Sequence, residues 1–182
     1  MTDPLLKYRE QHKHRLNYMP WLYWSLKPKH REWAEQWQAE YQAYLLEMET
    51  VEIGKNCFIS PLAHIFAERG RKISIGDNTF IAADCTLHGP LQIGSEVAIN
   101  HHCILDGGRA GIKLHDQVRI AAYSHLYAFD HGMDLERPIY QQAVTSKGIE
   151  IGQDVWLGAH VAIKDGVKIG DHAVIGMNSM VT

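Results

Sequence analysis

The chain predicts an all-β solenoid with a three-sided cross-section, preceded by an α-helical segment and interrupted by one long protruding loop. Three observations predict it. Bulky aliphatics recur every six residues: Ile151, Leu157, Ile163, Ile169, Ile175 and Val181. Two positions before each stands a small or β-branched residue, as in Val155, Val161, Val167, Ala173 and Ser179. Glycine often follows, as at Gly152, Gly158, Gly170 and Gly176. Neither a helix nor a lone strand has a period of six, but a short strand plus a turn does. Three such units close a triangular coil, and each aliphatic then stacks on its counterpart in the next coil. One coil cannot bury its own apolar face, so stability comes from stacking.

Residues 1–50 lack the period and read as an N-terminal helical cap. Pro4 to Arg15 predicts a short helix, and Pro28 can open a second at its first position, where its missing N–H costs nothing. In that second helix Trp33, Trp37, Tyr41, Tyr44 or Leu45, and Met48 share one face. That stripe suits the open end of a coil stack, whose unpaired strand edge needs a cover, or a neighbouring subunit. Before residue 32, Lys7, Arg9, Lys13, Arg15, Lys27, Lys29 and Arg31 outnumber the acids and interleave with Tyr18, Trp21, Tyr23 and Trp24. The same mixture would suit a membrane surface or an anionic glycan. No nucleic-acid recognition motif accompanies it.

Residues 51–182 carry the coils. The repeat runs through Ile53, Ile59 and Ile65, skips Glu68–Lys72, and resumes at Ile75, Ile81, Leu87, Ile93, Ile99 and Leu105. A second insertion, Gly107–Gly111, precedes Leu114, Ile120 and Leu126. Each insertion must leave at a corner, since an extra residue within a strand would turn its inner face outward. The glycines after the aliphatics are expected to supply the special backbone geometry of the corners. Asn100 and Asp106 stand at what read as corners where Gly or Ala would do; turn chemistry and ligand binding both suit them. Cys57, Cys85 and Cys103 all fall on the small inner position, which predicts reduced, buried thiols.

A formal net charge of -3 over 182 residues predicts no general affinity for polyanions. The sequence has neither an apolar run of membrane-spanning length nor a signal-peptide pattern, so a cytoplasmic protein is expected. The loop 127–148 breaks the repeat; unstructured excursions of this length in compact folds are commonly functional. Near its start stands Asp130-His131-Gly132.

The sixfold repeat, the Asp130-His131-Gly132 corner leading into a long loop, and Val155-Trp156-Leu157-Gly158-Ala159 together resemble the hexapeptide-repeat acyltransferases. The galactoside, maltose and polysaccharide O-acetyltransferase branch is the most similar, with the xenobiotic acetyltransferases also close. The resemblance covers Val51 to Thr182. It implies a left-handed parallel β-helix, a homotrimer, acetyl-CoA as co-substrate with no metal, and an acceptor hydroxyl on a sugar, glycan precursor or other small molecule. It assigns His131 as general base and Asn100 and Asp106 as acceptor contacts. Trp156, Ala159, Met177 and Thr182 fall where relatives contact CoA. Ala159 replaces a serine of the sugar acetyltransferases, leaving only a backbone N–H to meet an oxyanion there. Relatives continue beyond the position of Thr182, so the resemblance implies a shortened chain or an incomplete site for the CoA tail. Two other readings stay open: a γ-type carbonic anhydrase with zinc on His88, His125 and His131, and a trimeric scaffold without catalysis.

Overall fold

A computed structural model describes residues 4–182. Helix α1 (Pro4–Tyr18), a 3-10 turn (Pro20–Leu22) and helix α2 (Pro28–Met48) precede six coils of parallel β-structure. The first sheet stacks Val51–Ile53, Ile73–Ile75, Leu91–Ile93, Ile112–Leu114, Ile149–Ile151 and Lys168–Ile169. The second stacks the two-residue strands at 58–59, 80–81, 98–99, 119–120, 156–157 and 174–175, and the third those beginning at His64, Thr86, Ile104, His125, Ala162 and Met180. Register follows the aliphatic repeat: Ile75 lies opposite Ile93, Ile81 opposite Ile99, Leu87 opposite Leu105. These rungs form one continuous core from Ile53 to Val181. Each fully buried Ile or Leu contributes on the order of 1.5–3 kcal/mol.

The corners differ from the sequence expectation in an instructive way. Left-handed backbone is found two residues after the glycine position and is occupied by ordinary residues: Asn56, Asn78, Asp84, Glu96, His102, Gln117, Tyr123, Asp154, His160, His172 and Asn178 all have φ between 54° and 64°. Gly54, Gly76, Gly94 and Gly152 are required for a different reason. A Cβ on Gly76 would stand 2.6 Å from the carbonyl carbon of Gly94 in the next coil. These glycines permit coils to approach; they do not bend them. Asp106 is also not a corner residue. It ends the strand Ile104–Asp106 in the third sheet.

The first two corners of every coil keep the six-residue step. All length variation falls at the return corner, from the third sheet back to the first: Glu68–Lys72, Gly107–Gly111 and the long arm. There the insertions bind one another. Arg71 Nη1 donates to the carbonyls of Gly89 and Gly108 at 3.0 and 2.8 Å. Ser146 Oγ accepts from the N–H groups of Arg109 and Ala110 and donates to the Ala128 carbonyl.

The N-terminal segment does two jobs, not one. Tyr41 and Leu45 of α2 close the open end of the core, while Tyr44 and Met48 of the predicted stripe stay exposed. The edge of the first coil is met by a residue outside that stripe, Gln38. Leu16, Tyr23 and Ala34, with Trp33 and Trp37, instead lie along the outer face of the second sheet, over Phe58, Phe80 and Ala98.

The three thiols are buried and free. Cys85 and Cys103 follow one another in the stack and donate to the Asn100 and Ala121 carbonyls at 3.0 and 3.2 Å.

Candidate active site

The candidate residues fall in two places. The first is the return corner and its arm. Asp130–His131 pairs antiparallel with Val144–Thr145, Asp130 opposite Thr145 and His131 opposite Val144. This two-stranded stem holds the arm off the coil. Asp165, itself buried, fastens the far end by accepting from the N–H groups of Lys147 and Gly148 at 2.8 Å. Lys164 pairs with Asp130 at 3.3 Å. His131 is exposed, and its imidazole has no hydrogen-bond partner or ring contact among the described residues. Beyond it the arm displays Met133, Leu135, Ile139 and Tyr140 to solvent, Leu135 at full exposure.

At the root of the arm lies a cavity of about 510 Å³ whose walls include Arg71, His88, Asp106, Arg109, Phe129 and Val144. His88 stands between two carboxylates, with Nδ1 at 3.3 Å from Asp106 Oδ2 and Nε2 at 3.1 Å from Glu68 Oε1. The second oxygen of Asp106 accepts from Gly108 N–H at 3.0 Å. Glu68 is held below the ordinary carboxylate range by its own backbone N–H and then by His88. This cluster fixes Asp106 facing the cavity. Nothing in the six-residue period marks His88 or Glu68.

The second place is the outer face of the second sheet and the corner beyond it. Trp156 is half-exposed, flanked in register by Arg119 and Val174. Ala159 occupies the first turn position of the next corner. Its coil-to-coil counterparts are Pro61, Ala83, His101, Ala122 and Met177. In coil two the matching N–H, of Ala83, donates to the Asn17 carbonyl of α1 at 2.7 Å. The N–H at this position therefore points outward, and those of Ala159 and Met177 meet no acceptor among the described residues. Asn100 sits at the same corner in coil three; its Nδ2 donates to the Ile120 carbonyl at 2.9 Å, leaving Oδ1 open. Thr182 follows the last strand of the third sheet, Met180–Val181, and is exposed.

Within one chain the structure joins Asp106 to the arm's root and sets Ala159 beside Met177, whose N–H side approaches Gly158. No hydrogen bond, ion pair or ring contact among the described residues links His131 to Asn100, Asp106, Trp156, Ala159, Met177 or Thr182. His88, His125 and His131 are not gathered either: among the described residues no three His, Cys, Asp or Glu side chains are grouped to share a metal ion. No helix among them is long and apolar enough to cross a membrane.

Residues 148–182 match the family described as bacterial transferase hexapeptide (six repeats). A protein named "Putative colanic acid biosynthesis acetyltransferase WcaF" of Escherichia coli is 27% identical over 162 residues, 88% of this chain and 74% of that protein. The galactoside O-acetyltransferase of Lactococcus lactis is 30% identical over 148 residues, 80% of this chain and 60% of that enzyme. A solved variant of AntD, an N-acyltransferase from Bacillus cereus in complex with dTDP and coenzyme A, superposes with a TM-score of 0.69 at 31% identity, covering 78% of each chain. The chain belongs to the hexapeptide-repeat acyltransferases. Its parallel solenoid matches their left-handed β-helix. His131 stands on the arm and Trp156 on the second sheet, and among the described residues no hydrogen bond, ion pair or ring contact joins the two.

Proposed function

We propose that the protein is an acetyl-CoA-dependent O-acetyltransferase acting on a hydroxyl of a sugar or surface-polysaccharide precursor, working as a homotrimer in the cytoplasm. The observation that carries this reading is the His131 imidazole, exposed and without a partner among the described residues, at the stem of an arm that also displays Met133, Leu135, Ile139 and Tyr140 to solvent. Such an arm is completed by a neighbouring protomer, whose second sheet and corner supply the other half of the site. The buried, reduced thiols suit a reducing compartment. In this reading residues 1–50 are a cap and 51–182 the catalytic coil.

A hydroxyl is a poor nucleophile until a base takes its proton, and an imidazole with an ordinary pKa near 6.5 can do so at neutral pH. His131 accepts the acceptor's proton as its oxygen bonds to the acetyl carbon, and returns a proton to the sulfur as the carbon–sulfur bond breaks. Coenzyme A supplies the activated acetyl thioester. In this reading Trp156 walls its pantetheine arm, Met177 and Thr182 make further contacts to the donor, and the outward N–H of Ala159 donates to an amide carbonyl or to the oxyanion. Asn100 Oδ1 and the fixed carboxylate of Asp106 accept from acceptor hydroxyls.

The test is release of free thiol from acetyl-CoA over a panel of sugars, amino sugars and nucleotide sugars, with the product's linkage read by mass spectrometry and NMR. Acetyl esters are expected. Acetyl amides on an amino sugar alone would replace the O-transfer reading with N-acylation, the activity named for AntD. No release with any acceptor would leave the arm as a scaffold contact.

A further inference from the structure

Beside Asn100, between the N-terminal segment and the second sheet, lies a cavity of about 540 Å³. That is within the range of roughly 300–1,000 Å³ typical of small-molecule sites. Its apolar wall is aromatic. Trp21 and Trp24 stand with ring centroids 6.5 and 6.1 Å from that of Phe80. The segment bearing the two indoles is firmly seated. Tyr23 between them is buried, packs 5.4 Å from Phe58, and lies under the Arg31 guanidinium at 5.1 Å. Yet Trp21 keeps half of its surface exposed, and the indole N–H of Trp24 is buried with no acceptor among the described residues. An indole left half-exposed on a seated turn beside a cavity is what a ligand would complete. The opposite rim carries Asn100, Glu96 and Arg119.

We propose that this cavity is a subsite for a second sugar ring: the acceptor is a neutral oligosaccharide or glycoside, with one ring stacked on Trp21 and the ring to be acylated placed at Asn100. The inference rests on the acyl-acceptor role given above to Asn100. The chemistry selects this ligand. The face of a pyranose presents C–H groups to an aromatic plane, while its edge presents hydroxyls to amide, carboxylate and guanidinium groups. One carboxylate and one guanidinium line the cavity, and Arg119 also donates to the Glu96 carbonyl. A nucleoside diphosphate would need an excess of cations that this rim lacks. Because the platform is already ordered, binding spends little entropy on fixing it.

The experiment measures affinity by titration calorimetry for a panel of neutral di- and trisaccharides of glucose, galactose, fucose and N-acetylglucosamine, for the component monosaccharides, and for dTDP-glucose. At least one oligosaccharide is expected to bind about tenfold more tightly than its monosaccharides, and Trp21→Ala to erase that advantage while Trp21→Phe keeps most of it. Trp21 is half-exposed, and a Tm within the wild-type range certifies the variant's fold. No oligosaccharide binding, an advantage that survives in Trp21→Ala, or tighter binding of dTDP-glucose would each overturn the subsite. Binding that depends on Trp21 without acetyl transfer to any acceptor would uphold the subsite and sink the transferase reading. Transfer with an acceptor KM unchanged in Trp21→Ala would do the reverse.

Discussion

The side-chain amide of Gln38 reads the backbone of Ile59 at both of its groups: Oε1 accepts from the Ile59 N–H at 2.8 Å and Nε2 donates to the Ile59 carbonyl at 3.1 Å. The glutamine does what a neighbouring strand would do, at the edge of the second sheet, where no strand precedes Phe58–Ile59. It is buried, so neither backbone group can turn to water instead. Gln38→Ala is expected to destabilise by about 1–3 kcal/mol for each group left unpaired. Gln38→Glu sets a buried carboxylate oxygen against the Ile59 carbonyl, and at neutral pH should cost at least as much as Gln38→Ala. Urea unfolding of the three proteins checks the order.

The glycine positions make a matched pair of predictions. Gly76→Ala forces a Cβ to 2.6 Å from the backbone of the next coil, and should lower Tm sharply or prevent folding. Gly170→Ala meets nothing within 4 Å, and its φ is not in the left-handed region. It should be neutral or stabilise by about 0.4–1 kcal/mol, through the lower entropy of the unfolded chain. Equal damage from the two would show that stacking contact is not the reason for these glycines.

His131→Ala should lower kcat by about 10²- to 10⁴-fold, the usual contribution of a placed general base. Its imidazole is exposed and makes no hydrogen bond, ion pair or ring contact among the described residues, so Tm and the sedimentation coefficient should not change. Unaltered turnover would remove His131 from the chemistry.

Ala159→Pro tests a single backbone hydrogen. Pro61 already occupies the equivalent position in coil one, so the ring fits this turn. What disappears is one outward N–H, and KM for acetyl-CoA should rise about 2- to 10-fold, the worth of one hydrogen bond. Thermal stability should not fall. An unchanged KM would show that this N–H meets no part of the donor.

The thiols predict a limit at alkaline pH. Burial raises the Cys57 thiol; Cys85 and Cys103 share a contact that raises the first and lowers the second, so the pair's effects largely oppose each other. A raised folded-state pKa means the folded protein keeps protons that the unfolded chain releases. The contribution of Cys57 is therefore complete below about pH 8.5 and declines above it, by up to about 1.4 kcal/mol per pH unit. Denaturant midpoints between pH 8 and 10 should show the decline, and Cys57→Ala should flatten it. The native thiols should also fail to react with Ellman's reagent until the coils unfold.

The rungs were legible in the sequence because they obey a local period: Ile99 announces Leu105 without reference to anything distant. The arm announced itself by breaking the period. Gln38, Ser146 and Asp165 gave no such signal. Each is a single polar residue whose partners lie far along the chain, and nothing near it in sequence says which backbone groups it will satisfy. The glycines misled for a related reason. Their spacing is local, but the contact that demands them is made with the next coil. Asp106 read as a corner residue because the insertion after it obscures where the strand ends.

With every extra residue confined to the return corner, the prism and its ornament are separable. Arg71, Gly108 and Ser146 knit the inserted segments into a spine along that single edge, while the other two edges keep an unvarying step. A longer or shorter loop there alters what the protein can grasp without shifting one aliphatic against its neighbour. New specificity can therefore be acquired along one seam, leaving the scaffold's repeat distance untouched.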